Sequence, residues 1–83
     1  MRGDSVNRKK FYPVLLHKED TGYSVSMPDF PGCFTQGENY AEAITMAGEA
    51  MELWVYAESK IPEPSDPNSI DVPEGSLLVM VAI

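Results

Sequence analysis

Residues 23–37 read Tyr-Ser-Val-Ser-Met-Pro-Asp-Phe-Pro-Gly-Cys-Phe-Thr-Gln-Gly, YSVSMPDFPGCFTQG. The first five alternate, with Tyr23, Val25 and Met27 on one side and Ser24 and Ser26 on the other, the period of a half-buried strand. Two prolines, a glycine and the chain's only cysteine follow before a second short extended run, Gly32–Gln36, which Gly37 ends. The stretch therefore predicts strand, rigid corner, strand. Pro28 and Pro31 limit the backbone, Gly32 permits the bend and Phe30 anchors it. Cys33 is read as a packing residue.

Toward the N-terminus, Lys10–Lys18 (KFYPVLLHK) is apolar and aromatic enough for a strand. Pro13 implies that one side of that strand lacks a ladder bond, or that the strand begins near it. Glu19-Asp20-Thr21-Gly22 is turn chemistry that closes a hairpin onto Tyr23. Toward the C-terminus, Asn39-Tyr40-Ala41-Glu42 is a capping box. It predicts a helix from Tyr40 to about Ser59, with Ala43, Ala47, Ala50, Met51 and Trp54 on one stripe and Ile44 and Val55 on a flank. Three prolines in Ile61–Ser69 break the helix and predict an extended run. Ser76–Ile83 (SLLVMVAI) is a continuous apolar strand.

The order is β-β-β-α-β, an α+β domain. A helix between the third and last strands suggests that these run parallel with a right-handed crossover, giving a four-stranded mixed sheet of order 3-2-1-4. One helix covers one face of such a sheet. The other face, a sheet edge or the outer surface of the helix is then expected to meet another chain, and a homodimer or higher oligomer is expected.

Eighty-three residues make one small core. Charge divides it: residues 1–18 carry +4 and residues 19–83 carry −11. A body so acidic repels phosphate backbones and attracts basic partners. Arg2, Arg8 and Lys9 lie in a basic arm over residues 1–9, and Lys10 adjoins it at the start of a domain at 10–83. That arm is either a solvated terminus or, in an alternative reading, the contact of a small nucleic-acid-binding or regulatory protein. No apolar run approaches the roughly 20 residues of a membrane span. A lone cysteine forms no internal disulfide, and a cytoplasmic location without membrane contact is expected.

Chemistry is hard to assemble from these residues. Cys33 has no cation beside it in sequence to lower its pKa, and His17 and Cys33 together are too few ligands for zinc. The carboxylates lie in turns (Glu19, Asp20, Asp29), on the helix (Glu42, Glu49, Glu52, Glu58) and in the proline-rich exit, rather than inside strands. No phosphate-binding glycine loop is present. No catalytic, metal or cofactor site is assigned. More telling is a second helical stripe, Met46 and Leu53 with Tyr56 near them, flanked by Glu42, Glu49 and Lys60. Apolar anchors rimmed by charge suit a protein partner, although a wide-faced core helix or a loop folded over it would produce the same pattern.

Several of these features, in this order, resemble the HicB antitoxin family. They are Tyr12-Pro13, the acidic turn ending in Gly22-Tyr23, the corner Pro28-Asp29-Phe30-Pro31-Gly32-Cys33, and Thr35-Gln36-Gly37. Glu42-Ala43, Glu52-Leu53-Trp54 and Pro62-Glu63-Pro64 complete the run. The resemblance covers about residues 10–83. It implies a partial RNase H-like fold and the antitoxin of a type II toxin–antitoxin system. Such a protein is not an enzyme; it binds and sterically inhibits a HicA-like toxin, a small basic mRNA-cleaving ribonuclease. Many members continue into a DNA-binding domain that is not seen by residue 83, so no direct nucleic-acid binding is expected of this chain. With the acidic turns and the second stripe, the expected toxin-binding residues are Glu19, Asp20, Asp29, Phe30, Glu42, Met46, Glu49, Leu53 and Tyr56.

Overall fold

The computed structural model describes residues 9–83, so residues 1–8 of the basic arm lie outside the described region. Strands β1 (Phe11–Lys18), β2 (Tyr23–Ser26) and β3 (Phe34–Gly37) precede helix α1 (Tyr40–Glu58) and strand β4 (Ser76–Ala82). The sheet order is β3-β2-β1-β4. The α+β class, the element order and the strand order agree with the sequence.

The mixed sheet does not. All three pairings are antiparallel, including β1 with β4 from Phe11↔Ala82 to His17↔Ser76. The cause lies in the prolines. α1 returns the chain to the corner end of the sheet, and an extended segment of 15 residues or so then carries it back to the hairpin end, where Gly75 accepts from the Lys18 N–H. β4 must therefore run opposite to β3, and no parallel crossover exists. That segment is not extended throughout. Pro67–Ser69 form a single 3₁₀ turn, capped by the Asp66 side chain accepting from the Asn68 N–H at 2.9 Å.

Pro13 now has its explanation. Lys10 and Ile83 exchange a pair of main-chain hydrogen bonds. In an antiparallel ladder the bonded positions alternate, so Tyr12, Val14 and Leu16 direct their main-chain groups at β4 and the odd residues direct theirs at β2. The missing N–H of Pro13 falls on the β2 side, beyond the last β1–β2 pair, Leu15↔Ser26.

Period-two alternation puts Tyr12, Val14, Leu16, Val25, Met27 and Val81 in the core. Ala43, Ala47 and Met51 of α1 pack on them, with Ile44, Ala50, Trp54 and Val55 at the margins. Asn39 caps the helix, its side chain accepting from the Glu42 N–H at 2.8 Å. The Glu42 carboxylate reaches back to the Glu38 N–H at 2.6 Å, one residue beyond the usual capping-box donor. Ser59 ends the helix in the left-handed region, φ 57°, and donates to the Val55 carbonyl.

Helix and sheet touch most closely where β3 meets α1. A Cβ built on Gly37 would stand 2.5 Å from the Ala43 nitrogen and 2.6 Å from its Cα. Gly32 contrasts with it: its φ is +77°, but nothing lies within 4 Å of a Cβ there. Gly37→Ala is expected to cost about 2–3 kcal/mol by overpacking, and Gly32→Ala about 1–2 kcal/mol of backbone strain alone. Denaturant unfolding of the two variants should show that order.

Candidate functional site

The quoted corner is built around Phe30. The Phe30 N–H donates to Met27 O at 3.0 Å, the Cys33 N–H donates to Phe30 O at 2.9 Å, and the Met27 N–H donates to Cys33 O. These bonds turn the ring inward, where it is 1% exposed. It meets the Tyr12 ring edge-on at 4.7 Å and the Trp54 ring at 5.2 Å. Trp54 also donates its indole N–H to Pro31 O at 3.0 Å. Tyr12 donates its hydroxyl to Pro62 O at 2.7 Å. Burial first, then the negative charges of Glu63 and Asp29, push the Tyr12 phenol above its ordinary pKa, so it stays a neutral donor.

Phe30 and Asp29 therefore sit apart from the other expected contact residues. The Asp29 carboxylate accepts from the Ser65 N–H at 2.8 Å and from the Ser65 hydroxyl. It ties the exit segment to the corner.

The remaining expected residues fall into two adjoining groups. At the hairpin end of the sheet an open cleft of about 790 Å³ is lined by Glu19, Thr21, Tyr23, Ser24, Gln36, Gly37, Glu38, Glu42 and Met46. Ser24 donates to the Glu19 carboxylate at 2.8 Å, fixing it at the cleft rim. Glu42 is fixed by the Glu38 N–H. Both carboxylates are held by neutral donors. Asp20 is exposed in the turn beside Glu19.

The second group continues along the helix. Glu42, Met46, Glu49, Leu53 and Tyr56 are spaced four, three, four and three, which is one narrow face of a helix. Leu53 is 67% exposed and Tyr56 83%. Because Ala43, Ala47 and Met51 face the sheet and a Gly48 Cβ would look toward Val81 of β4, the Met46–Leu53 flank lies on the β3 side. Cleft and flank form one surface with acidic residues around apolar anchors. Lys60 approaches the Trp54 ring at 6.0 Å and stands at the far end of the helix from the cleft.

Sequence reading missed Phe34, exposed on the face of β3 that points away from α1, and Thr21, Gln36 and Glu38 of the cleft. The alternation of Cys33, Thr35 and Gly37 against Phe34 and Gln36 carried the signal for β3. The closure of the hairpin turn onto the start of α1 had no local signal. Among the described residues no three His, Cys, Asp or Glu side chains gather as metal ligands, and no helix is long and apolar enough to cross a membrane.

Cys33 is buried beneath the corner, and burial raises its thiol pKa. In the folded chain it should react with a thiol reagent at least about tenfold more slowly than in denaturant, as a timed colorimetric assay would show. Asp29→Ala leaves the Ser65 donors unmet. It should cost about 1–3 kcal/mol, measured by thermal unfolding, and speed amide exchange at Ser65.

The model of a family described as the HicB-like antitoxin of bacterial toxin–antitoxin systems matches residues 12–76. "Antitoxin HicB 1" of Photorhabdus laumondii is 41% identical over 69 residues, which are 75% of this chain and 44% of that protein. A Haemophilus phage HP1 protein is 43% identical over 44 residues, 53% of this chain and 33% of its own length. This chain thus spans less than half of either relative. Among solved structures, a chain of the "HicA3 and HicB3 toxin-antitoxin complex" superposes with a TM-score of 0.74 at 32% identity, covering 87% of this chain and 95% of that one.

Proposed function

The chain belongs to the HicB-like antitoxin family, and from that premise we propose that it neutralises a HicA-like, mRNA-cleaving ribonuclease by binding it and covering its RNA-contacting surface. The observation that carries the reading is the joined cleft and helix flank. A ribonuclease must present cations to phosphates. Glu19, Asp20, Glu42 and Glu49 offer it carboxylates in their place, while Met46, Leu53 and Tyr56 supply the apolar contacts that hold the complex. The chain acts by occupancy and turns over no substrate. Superposition on a chain of a toxin–antitoxin complex supports this reading, since that chain shares the sheet and helix over nearly its whole length.

Within such an interface the residues divide by role. Leu53 and Tyr56 are the desolvated anchors, and the carboxylates are the rim that speeds encounter and rejects wrong partners. Asp29 and Phe30 contribute from behind, by keeping the corner and the end of α1 in place.

The experiment pairs the purified chain with a HicA-like ribonuclease and follows cleavage of a messenger RNA. A stoichiometric amount should suppress cleavage, and added salt should weaken the complex. Leu53→Ala and Tyr56→Ala should each weaken binding by about tenfold or more. Asp20→Lys and Glu49→Lys should mainly slow association. Undiminished cleavage at molar excess would overturn the function. Full-strength inhibition by the Leu53 and Tyr56 variants together would move the contact face elsewhere.

A further inference from the structure

We infer that the basic partner docks by adding a strand to β3, beneath the exposed flank of α1, and that this strand alternates cationic and apolar side chains. The inference rests on the function proposed above and names the element of the partner that the surface fits.

Main-chain groups come first. β3 ends the sheet, and among the described residues nothing pairs with its outer side. The Met27 N–H donates to the Cys33 carbonyl, and the β2–β3 register runs from Ser26↔Phe34 to Tyr23↔Gly37. Antiparallel alternation then gives Thr35 and Gly37 to β2 and directs Phe34 and Gln36 outward. The Glu38 N–H that follows is already spent on the Glu42 carboxylate. What the edge offers is the N–H and carbonyl of Phe34 and of Gln36, the groups a strand laid alongside takes up. So short an edge is a poor template for chance pairing. A strand held there needs side-chain contacts as well.

α1 supplies them. Its first turn rests on β3, where a Gly37 Cβ would stand 2.6 Å from the Ala43 Cα. A helix with its side chains is about 10–12 Å wide, and neighbouring strands lie about 4.8 Å apart. A helix seated over the last strand therefore overhangs the place of one further strand. The stripe of Glu42, Met46, Glu49 and Leu53 faces that place, and Leu53 stays 67% exposed because the layer beneath it is missing. The open cleft of about 790 Å³ wraps the same edge. Ser24 and Gln36 line it from the face away from α1, and Glu42 and Met46 line it from the helix side.

The two sides of this slot differ, and the difference defines the occupant. On the helix side Glu42 and Glu49 flank Met46, and Glu38 follows the end of β3. A lysine or arginine entering there packs its stem on Met46 and brings its charge to the carboxylates. Lys18 does not compete: it ends β1, two strands away, and lies over the Tyr23 ring, 5.6 Å from its centroid. On the opposite face Phe34 is 73% exposed, and its cross-strand neighbour is only Ser26. An apolar side chain level with Phe34 covers the open side of the ring. Successive residues of a strand point to opposite faces, so the segment that fits alternates cation and hydrophobe.

The test uses the whole chain with a HicA-like ribonuclease and reads messenger-RNA cleavage and amide exchange side by side. Complex formation should slow exchange of the Phe34 and Gln36 amides by at least about tenfold. Gln36→Pro removes an outward N–H without touching the β2 ladder, and Phe34→Lys sets a cation against a cationic partner. Each should weaken the complex by at least about tenfold, with thermal unfolding showing that the variant has folded. Full inhibition while both amides exchange as freely as in the chain alone overturns the strand addition and leaves the proposed function standing. Absence of inhibition removes the two together. Slow exchange of both amides in the chain alone means that the edge is closed without the ribonuclease, and this too overturns the inference. The exchange measurement needs no variant and decides the matter even where a substitution disturbs folding.

Discussion

The Phe30 ring is the joint on which the rest of the structure turns. Its main chain makes two of the corner's own hydrogen bonds, and its ring meets Tyr12 of β1 and Trp54 of α1. Each ring then spends its polar atom on the chain around it, Trp54 on Pro31 and Tyr12 on Pro62. Three aromatic residues thereby fix the corner, the far end of the helix and the start of the exit segment together. Removing a buried aromatic ring costs about 3–5 kcal/mol. In a small domain that is a large share of the roughly 5–15 kcal/mol available in total. The sharp proline-glycine corner is therefore a consequence of where the ring must go, and the cysteine beside it is a filler of the space left over.

Gly37 plays the complementary part at the other end. With no side chain there, Ala43 comes down onto the strand, and α1 starts directly above β3 instead of over the middle of the sheet. Two results follow from that offset. On the β3 side, the helix flank and the hairpin turn close around a cleft with Glu19 and Glu42 at its rim. On the β4 side, the same tilt leaves Leu77 uncovered. One missing methyl group thus shapes both unfinished edges of the molecule.

What the sequence made legible was local. The alternation of Tyr23, Val25 and Met27, the Asn39 cap with Glu42 and the alanine stripe are written within a few residues of one another, and each formed where it was expected. The order β3-β2-β1 was also legible, because hairpins pair neighbours; β4 was expected beside β1 by way of a parallel crossover, and it lies there by an antiparallel route instead. Strand direction in β4 was not. It depends on how far the Ile61–Gly75 segment travels, and prolines specify that the chain is extended without specifying where it ends. The site divided along the same line. The stripe from Glu42 to Tyr56 came from helical period alone. Asp29 and Phe30 were grouped with it by proximity in sequence to the corner, whereas the fold directs the one at Ser65 and the other into the core. Gln36 and Glu38 reached the cleft only through contacts between elements distant in the chain.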